Sequence, residues 1–105
     1  MEINRLYSLA DKENITIINF KMKNKGIIGC IENNYMIGMN YRCIETEEEE
    51  KAILAEELGH YYMDATYSLC ADKNFINKQE YRAKKWSYFA LVPYEKLKSA
   101  IKKRN

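Results

Sequence analysis

The apolar residues of this chain change their period near Asn40, and that change limits what the chain can fold into. Before it they fall in short runs. Ile15-Thr16-Ile17-Ile18-Asn19-Phe20 reads as a strand, because branched side chains suit a pleated, half-buried surface. Residues 26–32 read as a second strand and residues 35–40 as a third. Asn33-Asn34 between them is turn chemistry, since asparagine tolerates left-handed backbone, so the pair is expected to be an antiparallel hairpin. After Asn40 the spacing becomes helical. Thr46, with Glu49 three residues on, forms a capping box, and Ala52, Ile53, Ala55, Leu58 and Gly59 carry the helix to about Tyr62. Residues 64–77 are expected to be a loop, 78–92 a helix ended by Pro93, and 94–103 a last helix. Residues 3–10 form one more, with Leu6, Leu9 and Ala10 on one side. Helix, three strands, then helices is an α+β order rather than alternating α/β. A single domain of 105 residues with a small antiparallel sheet of about three strands is expected.

Charge and cysteine usage exclude several classes. Seventeen basic residues against 15 acidic ones give a net charge of +2, too little for a global field that attracts nucleic acid. Five glutamates lie within residues 45–50 and the end, 96–104, is basic; such runs are usually solvated helix faces. Met1-Glu2-Ile3-Asn4-Arg5 lacks the apolar run of a signal peptide, and no apolar stretch approaches the roughly 20 residues that span a bilayer. Cys30, Cys43 and Cys70 make an odd count without C-x-x-C spacing. Reduced, mostly buried thiols in a cytoplasmic protein are expected.

Glu56-Glu57-Leu58-Gly59-His60 carries the chemistry. Residues four apart share a helix face, so Glu56 and His60 can chelate one ion. Glu57 stands about 100° round the helix from Glu56, near that ion without binding it. This is the layout of H-E-x-x-H metalloproteases, in which the intervening glutamate is the general base. Here Glu56 replaces the first histidine; carboxylate oxygen ligates zinc at about 2.0–2.2 Å, close to the distance for imidazole. His60 is the only histidine, and a lone helical histidine outside such a setting is more often a core or surface residue. Tyr61, Tyr62, Tyr81 and Tyr88 are candidates for an oxyanion donor, and spacing does not choose among them. Trp86, Phe89 and Leu91 are expected in the core.

The run Leu54-Ala55-Glu56-Glu57-Leu58-Gly59-His60-Tyr61 resembles the ImmA/IrrE metallopeptidase family, as do Glu80-Tyr81-Arg82-Ala83-Lys84-Lys85-Trp86 and Leu91-Val92-Pro93. The resemblance spans roughly residues 15–97. It implies a zincin-like fold and a zinc site with Glu56, His60 and Glu80 as ligands and Glu57 as base. Without it, Glu80 would read as an exposed residue early in a helix. It further implies cleavage of a helix-turn-helix repressor of a prophage or mobile element. The departure is Glu56. Two carboxylates cancel the charge of a divalent ion, and a less positive metal polarises water and carbonyl groups less. Slower hydrolysis than at a two-histidine site is expected, and harder oxygen ligation admits manganese beside zinc. The competing expectation is a non-catalytic module that regulates such a repressor by binding it. Direct DNA binding ranks third, because no helix-turn-helix pattern is legible.

Overall fold

In the computed structural model, which describes residues 1–67 and 71–92, the β-branched runs become strands β1 (Thr16–Asn19), β2 (Gly26–Ile31) and β3 (Asn34–Met39). Their order in the sheet is β1-β3-β2. The expected antiparallel hairpin is present, with Ile28 opposite Ile37. The sheet as a whole is mixed, because β1 pairs parallel with β3, Ile17 opposite Ile37. The hairpin turns one residue earlier than the asparagine pair suggested. Glu32 and Asn33 take the positive φ values, 52° and 67°, and Asn34 already belongs to β3. Two successive left-handed residues match the right-handed twist of the flanking strands.

Around this sheet lie α1 (Ile3–Lys12), a 3-10 turn (Tyr41–Cys43), α2 (Glu47–Tyr62) and α3 (Lys73–Leu91). The α+β class expected from the element order is what forms. The row Ile17, Ile37, Ile28 crosses the sheet on its inner side, with Ile37 fully buried and its two neighbours packed against the core. Leu6 and Ala10 of α1 and Leu54, Ala55 and Leu58 of α2 complete that core with Ile15 and Met39. No helix among the described residues is long and apolar enough to cross a membrane.

Local chemistry sets the helix ends. Thr46 Oγ1 accepts from the Glu49 amide at 3.1 Å, as the capping box requires. The returning bond is displaced by one residue, since Glu49 Oε1 accepts from the Glu45 amide at 3.2 Å. Helix α3 begins at Lys73, five residues before the expected start, because Asp72 is its cap and accepts from the Asn74 amide at 2.7 Å. The connecting loop is correspondingly shorter. Pro93, the expected helix over 94–103 and Cys70 lie outside the described residues.

Two packing expectations fail. Helix α3 buries Gln79, Ala83 and Ser87, and Phe89, about 200° round the helix from Ser87, is left 58% exposed. Trp86 is half-buried, stacked on Tyr62 at 5.0 Å, and Leu91 packs against the core. Cys30, on the outer strand β2, and Cys43, in the 3-10 turn, are both exposed rather than buried.

Helices α2 and α3 meet at Gly59 and Ala83. A Cβ on Gly59 would overlap the Ala83 carbonyl oxygen and stand 3.1 Å from its Cα. Alanine normally stabilises a helix interior relative to glycine by about 1 kcal/mol. At this contact Gly59→Ala is expected to destabilise instead, by about 1–3 kcal/mol as in other overpacked interiors. Urea unfolding reads the sign directly. Thr46→Ala, which removes only a cap, is expected to cost about 1 kcal/mol in the same assay.

Candidate metal centre

The Gly59–Ala83 contact brings together residues that are distant in the chain. His60 follows Gly59, Glu56 lies one turn earlier on α2, and Glu80 lies one turn before Ala83 on α3. One ligating atom from each of Glu56, His60 and Glu80 falls within 4.8 Å of the others.

The imidazole is oriented by the end of its own helix. Asp64 adopts φ 49°, so the chain turns back on itself, the Ala65 amide bonds to the His60 carbonyl and the Asp64 amide to that of Tyr61. This is the Schellman arrangement, here with aspartate where glycine is usual. It returns the Ala65 carbonyl to within 2.8 Å of His60 Nδ1. A carbonyl only accepts, so Nδ1 carries the proton and Nε2 faces Glu80, whose Oε1 is 3.4 Å away. Ligand atoms on a tetrahedral ion with bonds of about 2.0–2.1 Å stand about 3.3–3.4 Å apart. Two ligands of one divalent ion can stand this far apart, as can a histidine and a carboxylate in plain contact.

The turning segment is held from α3. Gln79, buried in the helix interface, donates through Nε2 to the Thr66 carbonyl at 3.2 Å and accepts from Arg82 at 3.2 Å. Arg82 donates in turn to the Met63 carbonyl, and the Tyr67 hydroxyl donates to Glu80 Oε1.

A cavity of about 330 Å³ opens over these groups, walled by Gly26–Ile28 of β2, by Glu56, Glu57 and His60, and by Tyr67 and Glu80. Strand β2 passes closely over α2, since a Cβ on Gly26 would stand 2.5 Å from Ile53 and 3.4 Å from Glu57. Covered in this way, the Glu57 carboxyl is pushed up to about 8, first by burial and then by the charges of Glu56 and Glu80. Glu56 is raised by burial, by its hydrogen bond with Glu80 and by that carboxylate's charge, against the pull of Lys84 and His60. Tyr67 is raised to about 12, chiefly by its bond to Glu80, so it remains a donor at neutral pH. Crowded carboxylates beside an imidazole nitrogen are a donor set a divalent cation would satisfy. The residues fit such an ion.

Every residue expected at the site is here: Glu56, Glu57, His60 and Glu80 converge on one cavity. The four tyrosines named as oxyanion donors do not wall it. Tyr61 donates to Glu13, Tyr62 stacks on Trp86, and Tyr81 and Tyr88 are each 67% exposed. Tyr67 is the tyrosine that walls the cavity instead. It sits past the end of α2, where no helical period points to it, and only the returning turn reveals its direction. No family model, no curated protein and no solved structure matches the chain.

Without a cation, Glu57 holds its proton to about pH 8 in the folded protein, while the unfolded carboxyl releases it near 4.5. The folded state then binds more protons over this window, so stability falls as pH rises through it. Urea midpoints measured with chelator present are expected to drop between about pH 5 and about pH 8. Glu57→Gln is expected to flatten that slope.

Proposed function

We propose that this chain is a metal-dependent endopeptidase-like protein with Zn2+ as its ion and Mn2+ as an alternative. The convergence of Glu56, His60 and Glu80 beside the buried carboxyl of Glu57 carries this reading. A bound ion there would supply Lewis acidity, polarising a substrate carbonyl and easing loss of a proton from water. His60, held at Nδ1 by Ala65, presents Nε2 as a ligand, and Glu56 and Glu80 supply oxygens. Glu57 takes the proton of the attacking water on a carboxylate oxygen as the water oxygen bonds to the carbonyl carbon. It then gives that proton to the amine nitrogen as the C–N bond breaks. A bound cation offsets the charges of Glu56 and Glu80, which lowers the Glu57 carboxyl toward the range a general base needs.

The cavity favours an extended peptide over a compact metabolite. Strand β2 walls it and is one of the two edge strands of the sheet, with β3 on its other side. Such an edge can pair with an added strand of substrate. The substrate we propose is a helix-turn-helix transcriptional repressor of a prophage or mobile element, met in the cytoplasm; the family resemblance is what supports it. The second reading, a non-catalytic module that binds the same repressor, draws on Glu56, whose charge weakens the ion as an electrophile.

Elemental analysis of the purified protein, followed by incubation with the repressor of the neighbouring gene, separates these readings. Stoichiometric zinc with a discrete cleavage product supports the peptidase. Zinc with a stable, uncleaved complex supports the module. Glu57→Gln is expected to keep its metal and lose cleavage by at least about 100-fold, the scale of a general base. Retained cleavage removes Glu57 from its role.

A further inference from the structure

Of the three proposed ligands, Glu80 is the one the helices alone do not place. Glu56 and His60 share one face of one helix, whereas Glu80 comes from α3 on a long side chain that is 31% exposed. A free glutamate side chain samples several rotamers, and few of them point at His60. Oε1 of Glu80 receives the Tyr67 hydroxyl and is also the atom 3.4 Å from His60 Nε2, while Glu56 bonds to the same carboxyl group. A carboxylate oxygen has two lone pairs, so one can accept the phenol while the other faces the cation. The Tyr67 ring also stands edge-on to the imidazole, with centroids 5.9 Å apart.

We propose that Tyr67 is the positioning residue of the metal centre, fixing Glu80 as a ligand while the same turn fixes His60 through Ala65. The inference rests on the metal-site reading above. Five consecutive residues, Met63–Tyr67, then register two ligands from two helices. Ala65 orients the imidazole, Tyr67 orients the carboxylate, and Thr66 and Met63 are tied to α3 by Gln79 and Arg82. Partners of this kind, one bond removed from the metal, typically change affinity by about 10–100-fold when removed.

A double-mutant cycle tests it with the full chain, reading Zn2+ affinity by chelator competition and ligand geometry by the visible spectrum of the Co2+ form. Tyr67→Phe is expected to weaken Zn2+ binding about 10–100-fold and alter the Co2+ spectrum, with circular dichroism unchanged. In a Glu80→Ala background the same substitution is expected to have no further effect, because no carboxylate remains to be placed. Tyr61→Phe, which cuts a bond to Glu13 outside the cavity, serves as the control and is expected to bind as the parent does. Unchanged affinity in Tyr67→Phe overturns the assignment, and so does an equal loss with and without Glu80. A parent protein that takes up neither Zn2+ nor Co2+ overturns the metal centre itself and this proposal with it.

Discussion

The site depends on a backbone-to-backbone contact at which there is no room for a side chain. Gly59 lets α2 approach Ala83 of α3 closely, and the groups proposed as ligands are counted outward from that contact. A methyl group at position 59 would hold the helices apart, and the separation between His60 and Glu80 would widen with them. Inside E-E-L-G-H, the glycine thus has a mechanical reason distinct from the chemistry of its neighbours. Ala83 has the complementary reason: it is fully buried and small.

That closeness has an electrostatic cost. Three carboxyl groups, from Glu56, Glu57 and Glu80, lie beside one imidazole, and two of them are held above their ordinary range by burial and mutual repulsion. Such crowding is unfavourable for a fold considered alone. It becomes favourable once a cation shares the space, since each anion then has an opposite charge at contact distance. The proposed cation affinity and the crowding of these carboxyls would be two sides of the same arrangement.

The three strands, the start of α2 and its Glu56–His60 face are the legible parts of the chain. Thr46 and Glu49 marked the start of α2, the i, i+4 spacing put Glu56 and His60 on one face, and the β-branched runs located all three strands. What escaped notice depended on backbone geometry that residue types only hint at. Parallel pairing of β1 with β3 follows from the hairpin inserting its second strand into the middle, which alternation within β1 cannot reveal. Asp72 caps α3 ahead of its apolar pattern, so the periodicity alone marks the start too late. Tyr67 was overlooked because a non-glycine residue, Asp64, makes the left-handed turn that brings it back. Glu80 was read from family resemblance, and without it the carboxylate would have passed for an exposed one.

The outer position of β2 has a consequence for the make-up of the site. Glu56, His60, Tyr67 and Glu80 come from α2, from α3 and from the residues just after α2, and β2 adds only the wall above Glu57. Packing of α2 on α3 therefore brings the proposed ligands together, and the roof depends on separate packing of β2 over α2. The groups proposed to hold an ion and the wall that buries the Glu57 carboxyl thus belong to different parts of the topology.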